Sequence, residues 1–239
     1  MISFMTDELD IRTAIKDTLP TVFGYIGIGL AFGVVSQSVG LSVLMVVLMS
    51  AITYAGSAQF IMVSMLVSHN PVVSIMVAVF LVNARMILMS TVVAPYFKKD
   101  SMWRNIFIGA LLTDESFALS MNKVNYTDHK MSFEWFNTAN LIAYFTWMIA
   151  SGVGALLGQL VAHPERLGLD FALVAMFIGL LYLQVIADRS LAKSLQLIVI
   201  LAEAVIIYLG LIFIPGNLLL VVGTLLGCAT GVVIKHAFY

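Results

Sequence analysis

The chain has 239 residues, of which 61% are hydrophobic and only 10% are charged, and its formal net charge is −1. A soluble globular domain carries about 25% charged residues, so this composition excludes a water-soluble domain and predicts helices that face lipid. The near-neutral charge gives no reason to expect a nucleic-acid partner. No P-loop, HExxH or paired CxxC motif occurs, and Cys228 is the single cysteine. We therefore predict no cofactor and no metal site.

Residues 1–17 contain four carboxylates and lack a compact apolar stretch, so they do not resemble a signal peptide. Thr6 is a suitable N-cap for a helix that places Ile11, Ile15 and Leu19 on one face. We expect these residues to form an amphipathic helix at the membrane surface.

Eight apolar segments follow, and most reach the roughly 20 residues that a spanning helix needs. They are 18–37, 42–67, 71–95, 105–121, 138–162, 168–187, 194–213 and 216–235. The fourth is short and polar, which leaves open a tilted span, a re-entrant piece or a half-helix. With eight spans the positive-inside rule favours an inner N-terminus, and if the fourth does not cross it favours an outer one. The sequence predicts an all-α polytopic transmembrane bundle of about seven to eight membrane segments.

The two halves of the chain resemble each other. The GxGxxxG pattern that begins at Gly27 recurs at Gly152, and YAGSAQFI (54–61) aligns without gaps on FALVAMFI (171–178). Chance similarity among common membrane residues is the alternative. We predict a two-fold internal repeat, because transporters are often built this way.

The predicted repeats divide one transporter domain, residues 18–239. Repeat one covers 18–95 and repeat two covers 138–235. Between them lie the fourth segment and the polar connection 122–137.

Four ionisable side chains lie at bilayer depth, where an ionised group costs about 2.5–3.5 kcal/mol even on a lenient scale. They are Arg85, Asp114, Glu115 and Glu203. Arg85 cannot lose its proton, so it needs an anion. That anion is either a carboxylate of the protein, forming a permanent ion pair between helices, or a carboxylate of a substrate. The three acidic residues are candidates for proton or charge coupling, and Glu203 can equally be a neutral group bonded to a neighbouring helix.

Small residues interrupt the second segment at Gly56 and Ser57, between Tyr54 and Gln59. They permit either close helix packing or local unwinding, which is tolerated at membrane depth only where the backbone lines a cavity. A helix that restarts there could hold a carboxylate at its N-terminus. We predict a broken helix and a substrate site formed by these four residues together with Asn83 and Arg85.

Four stretches carry a family resemblance: YAGSAQF (54–60), NAR (83–85), TDESFAL (113–119) and GLDFALVAMFIGLL (168–181). Together with Pro20 and the Gly-rich first span, they resemble the AzlC family over nearly the whole chain. The resemblance implies the large subunit of a two-component exporter of branched-chain amino acids in the plasma membrane. Its substrates would be leucine, isoleucine and valine, with methionine as a further candidate. Its partner would be AzlD, a small hydrophobic membrane protein.

Two classes of function remain open from the residues. The first is a secondary transporter for a small apolar amino acid, with apolar walls that discriminate weakly among side chains. Those walls would be Met62, Met65, Met86, Met89, Phe117, Trp147 and Phe177. The second is a non-transporting scaffold or assembly subunit, whose buried charges only hold helices together. An intramembrane enzyme is disfavoured because all four histidines lie at segment ends. Whether the chain forms a homo-oligomer is also open.

Overall fold

The computed structural model describes residues 7–160, 178, 181–182, 185–186, 192–214 and 216–238. Within these ranges the regular secondary structure is entirely helical, which confirms the predicted all-α class. The helices are α1 (Ile11–Ser38), α2 (Val43–Thr53), α3 (Gly56–Val67), α4 (Val72–Val93), α5 (Met102–Ala110), α6 (Asp114–Val124), α7 (Phe133–Gly158), α8 (Lys193–Phe213) and α9 (Gly216–Phe238). A 3-10 turn, Ala94–Phe97, extends α4.

Four of these helices are long and apolar enough to cross a membrane: α1, α4 with its 3-10 turn, α7 and α8. Shorter apolar helical stretches in the described ranges are α2, α3 and, within α9, Leu225–His236. Most of the predicted sixth segment, 168–187, lies outside the described residues. The number of membrane segments and the internal repeat therefore stay predictions.

Helix α1 begins later than the predicted surface helix, and it continues through the first predicted membrane segment. Asp10 caps α1 by accepting a hydrogen bond from the backbone N–H of Thr13, at 2.8 Å. Hydrogen bonds from Thr13 also lower the pKa of Asp10. The predicted cap, Thr6, lies outside the described residues. Residues 11–17 are not a separate surface helix, because α1 runs through Pro20 to Ser38 without a break.

Helices α1 and α7 pack closely and run in parallel. Their contacts rise together in residue number: Asp17 with Trp135, Tyr25 with Trp147, and Val34 with Gly158. Since both helices cross in the same direction, the chain between them must cross the membrane an odd number of times. This excludes the arrangement in which the second and third segments cross and the fourth does not.

Glycines allow the close approach of α1 and α7. A Cβ atom at Gly29 would lie 2.8 Å from the Cβ of Ala150, and one at Gly154 would overlap the backbone of Leu30. Gly27 differs, because a Cβ there would meet no atom within 4 Å in the described part of the chain. The repeated glycines thus act mainly as small packing residues, as in other membrane helix pairs.

Two membrane segments are broken. The second segment divides into α2 and α3 at Tyr54, whose backbone is left-handed with φ 38° and ψ 51°. The fourth divides into α5 and α6 just before Thr113, whose side chain forms a capping box with Ser116. The predicted break in the YAGSAQF stretch is present, and α3 begins at Gly56.

Candidate functional site

The two helix breaks meet at one polar cavity between α1, α4 and α7. Eleven residues line it: Tyr25, Tyr54, Ala55, Gly56, Ser57, Arg85, Met86, Thr113, Asp114, Glu115 and Trp147. Its volume is about 20 Å³, which is room for about one water molecule. The free space beside these polar groups is therefore too small for an amino acid.

An ion pair joins the two breaks through α4. Arg85 Nη2 lies 2.8 Å from Asp114 Oδ2 and also donates to Ser57 Oγ at 2.9 Å. The side chains of Arg85 and Asp114 are 28% and 14% exposed, respectively. One guanidinium thus contacts the first turn of α3 and the first turn of α6, and it stays within reach of the cavity.

The carboxylate of Glu115, the residue after Asp114, faces helix α1. Tyr25 of α1 donates from its hydroxyl to Glu115 Oε2 at 2.7 Å, and the same hydroxyl lies 2.9 Å from Thr113 Oγ1. Neighbouring residues on a helix point about 100° apart, which explains why Asp114 reaches α4 while Glu115 reaches α1. The cavity therefore contains two carboxylates and one guanidinium, in separate hydrogen-bond networks.

The two helix N-termini at the cavity differ in what caps them. The N-terminus of α6 has the Thr113 cap and two acidic residues in its first turn. At α3, the N-cap residue Ala55 provides no side-chain hydrogen bond. The first N–H groups of a helix have no partner within the helix and carry partial positive charge. The start of α3, beside Arg85, is therefore the part of the cavity best suited to an anion.

Comparison with known proteins places this cavity in a family context. A model of the AzlC protein family matches residues 20–161, which is more than half of the chain. The chain belongs to the AzlC family. The matched range contains every residue that lines the cavity.

Individual relatives of this AzlC-family protein agree with that assignment. The branched-chain amino acid transport protein AzlC of Bacillus subtilis strain 168 is 25% identical over 90% of this chain and 83% of its own length. The inner membrane protein YgaZ of Escherichia coli K12 is 29% identical, over 91% of this chain and 88% of its own. An uncharacterized membrane protein of Helicobacter pylori J99 is 30% identical, over 72% and 75%. No solved structure matches the chain.

These relatives and the spanning helices establish a multi-pass protein of the cell membrane. One member of this family carries the name of a membrane transport protein.

Six of the nine residues predicted for the site line the cavity: Tyr54, Gly56, Ser57, Arg85, Asp114 and Glu115. Gln59 does not line it, because its side chain is fully buried beneath the break. Asn83 also does not line it, since two positions along α4 turn a side chain about 200° away from Arg85.

Glu203 does not share the cavity with Arg85, contrary to expectation. It lies on α8, where its carboxylate faces Gly223 and Gly227 of α9. The absence of side chains at these two glycines creates space for the carboxylate between the two helices. Glu203 thus occupies a separate place in the described part of the fold.

Some of the apolar residues that were predicted to contact the substrate's side chain also lie away from the cavity. Met86 and Trp147 line the cavity, whereas Met62, Met65, Met89 and Phe117 do not, and Phe177 lies outside the described residues. Sequence reasoning missed Tyr25 and Thr113. Thr113 had a usable signal, because Thr followed by the acidic residues Asp114 and Glu115 is typical of a helix start. For Tyr25 the sequence offered no signal beyond a hydroxyl group in a Gly-rich span.

A second ion pair was also missed. Lys123 Nζ lies 2.7 Å from Asp17 Oδ2, and both side chains are 0% exposed. Trp135 donates its indole N–H to the same Asp17 oxygen at 3.1 Å, and the Lys123 ammonium lies 5.4 Å from the centre of the Trp135 ring. Asp17 had been assigned to the surface segment and Lys123 to the polar connection. In the structure they join the start of α1 to the end of α6.

Proposed function

We propose that this AzlC-family protein exports branched-chain amino acids and that the Arg85–Asp114 pair is where it binds them. The observation that carries the proposal is one opposite-charge pair placed where two broken helices meet inside a spanning bundle. Broken helices at membrane depth are typical of transporter substrate sites. The name of the Bacillus subtilis relative, a branched-chain amino acid transport protein, supports the same class of substrate.

A zwitterion is the natural ligand of such a pair. The cavity of about 20 Å³ admits no amino acid, so binding requires Arg85 and Asp114 to separate. Separating them without a substitute would leave two partly buried charges unpaired, which is costly. An amino acid brings its own replacements. Its carboxylate can accept two hydrogen bonds from Arg85, near the start of α3, and its ammonium group can pair with Asp114.

The apolar part of the substrate would contact Trp147 and Met86. These are the large apolar side chains of the cavity wall among the described residues. An apolar wall distinguishes substrates that differ by one methylene by only about 1–3 kcal/mol. Overlapping recognition of leucine, isoleucine and valine, with methionine as a further candidate, follows from that weak discrimination.

Proton coupling is part of the proposal. With both carboxylates ionised, the cavity carries one more negative charge than Arg85 can balance. A proton held on Glu115, beside the Tyr25 hydroxyl, would balance it. We assign coupling to Glu115 together with Asp114. Glu203 stands apart from this cavity, so it is not part of the coupling scheme.

The export direction and the partner follow from the family resemblance. We propose that the chain works with a small AzlD-like membrane protein. The competing function is a scaffold, in which the buried charges only hold helices together. The buried Asp17–Lys123 pair fits that description, whereas the Arg85–Asp114 pair borders a cavity.

The test is counterflow of labelled leucine in vesicles containing the purified protein, alone and with its small partner. Arg85→Ala should reduce counterflow by at least about tenfold, because hydrogen bonds to a charged group are worth about 1.5–3 kcal/mol. Arg104→Ala is the matched control, since Arg104 forms an exposed pair with Asp100 at 3.1 Å. Equal counterflow in wild type and Arg85→Ala would remove the pair from the mechanism. No counterflow in either preparation of the wild type would favour the scaffold.

A further inference from the structure

Gln59 occupies an unusual position for a polar side chain. It lies one turn into α3, directly beneath the α2–α3 break, and is 0% exposed. A buried amide is stable only if its oxygen and its NH₂ group are both hydrogen-bonded. The partners of Gln59 therefore indicate what it holds in place.

The carboxamide of Gln59 joins three helices. Its Oε1 accepts from the backbone N–H of Ala55 at 3.2 Å and from the indole N–H of Trp147 at 3.0 Å. Its Nε2 donates to Ser50 Oγ at 3.1 Å. Because both N–H groups can only donate, the amide oxygen must face them, which fixes the orientation of the side chain.

The hydrogen bonds continue until they return to the same tryptophan. Ser50 Oγ lies 2.7 Å from Ser151 Oγ, and Ser151 donates to the carbonyl oxygen of Trp147 at 2.6 Å. Ser50 and Ser151 are also 0% exposed. Trp147 is thus held at its indole N–H and at its backbone by one buried network that passes through Gln59.

The ring of Trp147 is a wall of the cavity at the break. A Cβ atom at Gly56 would lie only 3.2 Å from the ring, so the glycine lets the indole reach the start of α3. On another side the ring packs edge-on against Tyr25, with centroids 5.3 Å apart. A small rotation of the indole would therefore change the space beside Gly56.

We infer that Gln59 is a positioning residue that fixes the Trp147 ring as the apolar wall of the cavity and holds the α2–α3 break in shape. Resting on the proposed function, the inference adds that Gln59 sets the fit of the substrate's side chain without touching the substrate. Gln59 therefore acts through Trp147, whereas Arg85 acts on the charged groups.

The positioning role can be tested without any substrate. The chain has three tryptophans, Trp103, Trp135 and Trp147. Labelling with 5-fluorotryptophan should give three ¹⁹F resonances, and Trp147→Phe assigns one of them. Gln59→Leu should shift or broaden the Trp147 resonance and leave the other two unchanged. Gln37→Leu, a glutamine replacement near the end of α1, is the matched control.

A second variant keeps the test decisive if Gln59→Leu misfolds. Ser50→Ala removes one acceptor from Gln59 and leaves the Trp147 indole with its own acceptor, so it should move the Trp147 resonance by a smaller amount. An unchanged Trp147 resonance in Gln59→Leu would overturn the inference. If Gln59→Leu instead collapses all three resonances, Ser50→Ala decides: a selective shift of Trp147 supports the inference, and no shift overturns it.

Binding measurements separate this inference from the proposed function. In Gln59→Leu the Kd for leucine should rise about tenfold while that for alanine changes less than about twofold, since the fit of a methylene is worth about ten- to two-hundredfold. Gln59→Leu combined with Trp147→Phe should be no worse than the poorer single variant. Equal loss for leucine and alanine would contradict a role in side-chain fit. Failure of the wild type to bind any amino acid would sink the proposed function, and the ¹⁹F spectra would still decide the positioning role.

Discussion

Helix α6 has an ion pair at each end, and the two pairs differ in their surroundings. At its start, Asp114 meets Arg85 beside a cavity, with 14% and 28% of the side chains exposed. At its end, about 14 Å away by helical rise, Lys123 meets Asp17 with both side chains 0% exposed. The distances, 2.8 Å and 2.7 Å, are almost equal. Contact geometry alone therefore does not distinguish a substrate site from a structural joint.

What distinguishes them is whether another group can replace a partner. Around Lys123, Trp135 provides both an indole N–H to Asp17 and a ring beside the ammonium group. Around Arg85 there is a cavity and the first turn of α3. We interpret the first pair as an anchor that fixes one end of α6 and the second as the pair that opens for a zwitterion.

The largest expected effect is at the anchor. Asp17→Ala leaves Lys123 buried without its counter-ion, and breaking such a pair costs about 3–5 kcal/mol. The free energy of unfolding in mixed micelles measures the loss. Replacing both residues by leucine should recover most of it. A double variant as unstable as Asp17→Ala would show that burial of an unpaired charge is not the cause.

The next effect concerns the glycine contacts of the α1–α7 interface, which lie nearer the cavity than the Asp17–Lys123 anchor does. Gly154→Ala places a methyl group against the backbone of Leu30 and should cost about 1–3 kcal/mol of stability. Gly154 is about 10 Å along α7 from Trp147 and about 28 Å from Trp135 by helical rise. Gly154→Ala should therefore weaken leucine binding more than it disturbs the Asp17–Lys123 pair beside Trp135.

Gly27→Ala is the control for that interface. A Cβ there would meet nothing within 4 Å among the described residues. Because alanine is favoured over glycine within a helix by about 0.5–1 kcal/mol, this variant should be neutral or slightly more stable. A loss in Gly27→Ala equal to that in Gly154→Ala would mean that the glycines matter for another reason than packing.

The smallest stability effects should be at the substrate pair and on the surface. Arg85→Ala should lower the free energy of unfolding by about 1 kcal/mol, because the pair remains partly exposed. Arg104→Ala should change it by less than about 0.5 kcal/mol, as for other exposed pairs. A loss in Arg85→Ala as large as that in Asp17→Ala would place both pairs in the same structural class and remove the distinction between them.

The charged residues and the helix break are the part of the site that could be predicted, because ionised side chains and unpaired backbone groups are unfavourable in lipid. Arg85 keeps its charge in any surroundings, so an anionic partner was required, and Asp114 was among three candidates. The run of small residues at Gly56 and Ser57 likewise indicated a helix break. These arguments need only the local sequence and the free energy of a charge in lipid.

The remainder depended on long-range packing. Asp17 and Lys123 are 106 positions apart, and each lies near a segment end where a charge normally reaches the headgroups. Gln59 was predicted to contact substrate because its polarity is visible in the sequence, whereas its bond to Trp147 is not. Glu203 looked equivalent to Asp114 until the fold placed it against two glycines of α9.

Leucine and 3-methylbutylamine, which is leucine without its carboxylate, test the central claim most directly. Their dissociation constants should be compared in wild type and Arg85→Ala. If Arg85 exchanges Asp114 for the substrate's carboxylate, wild type should prefer leucine by at least about tenfold, or about 1.4 kcal/mol. Arg85→Ala should bind the two compounds equally. An undiminished preference for leucine in Arg85→Ala would contradict the account.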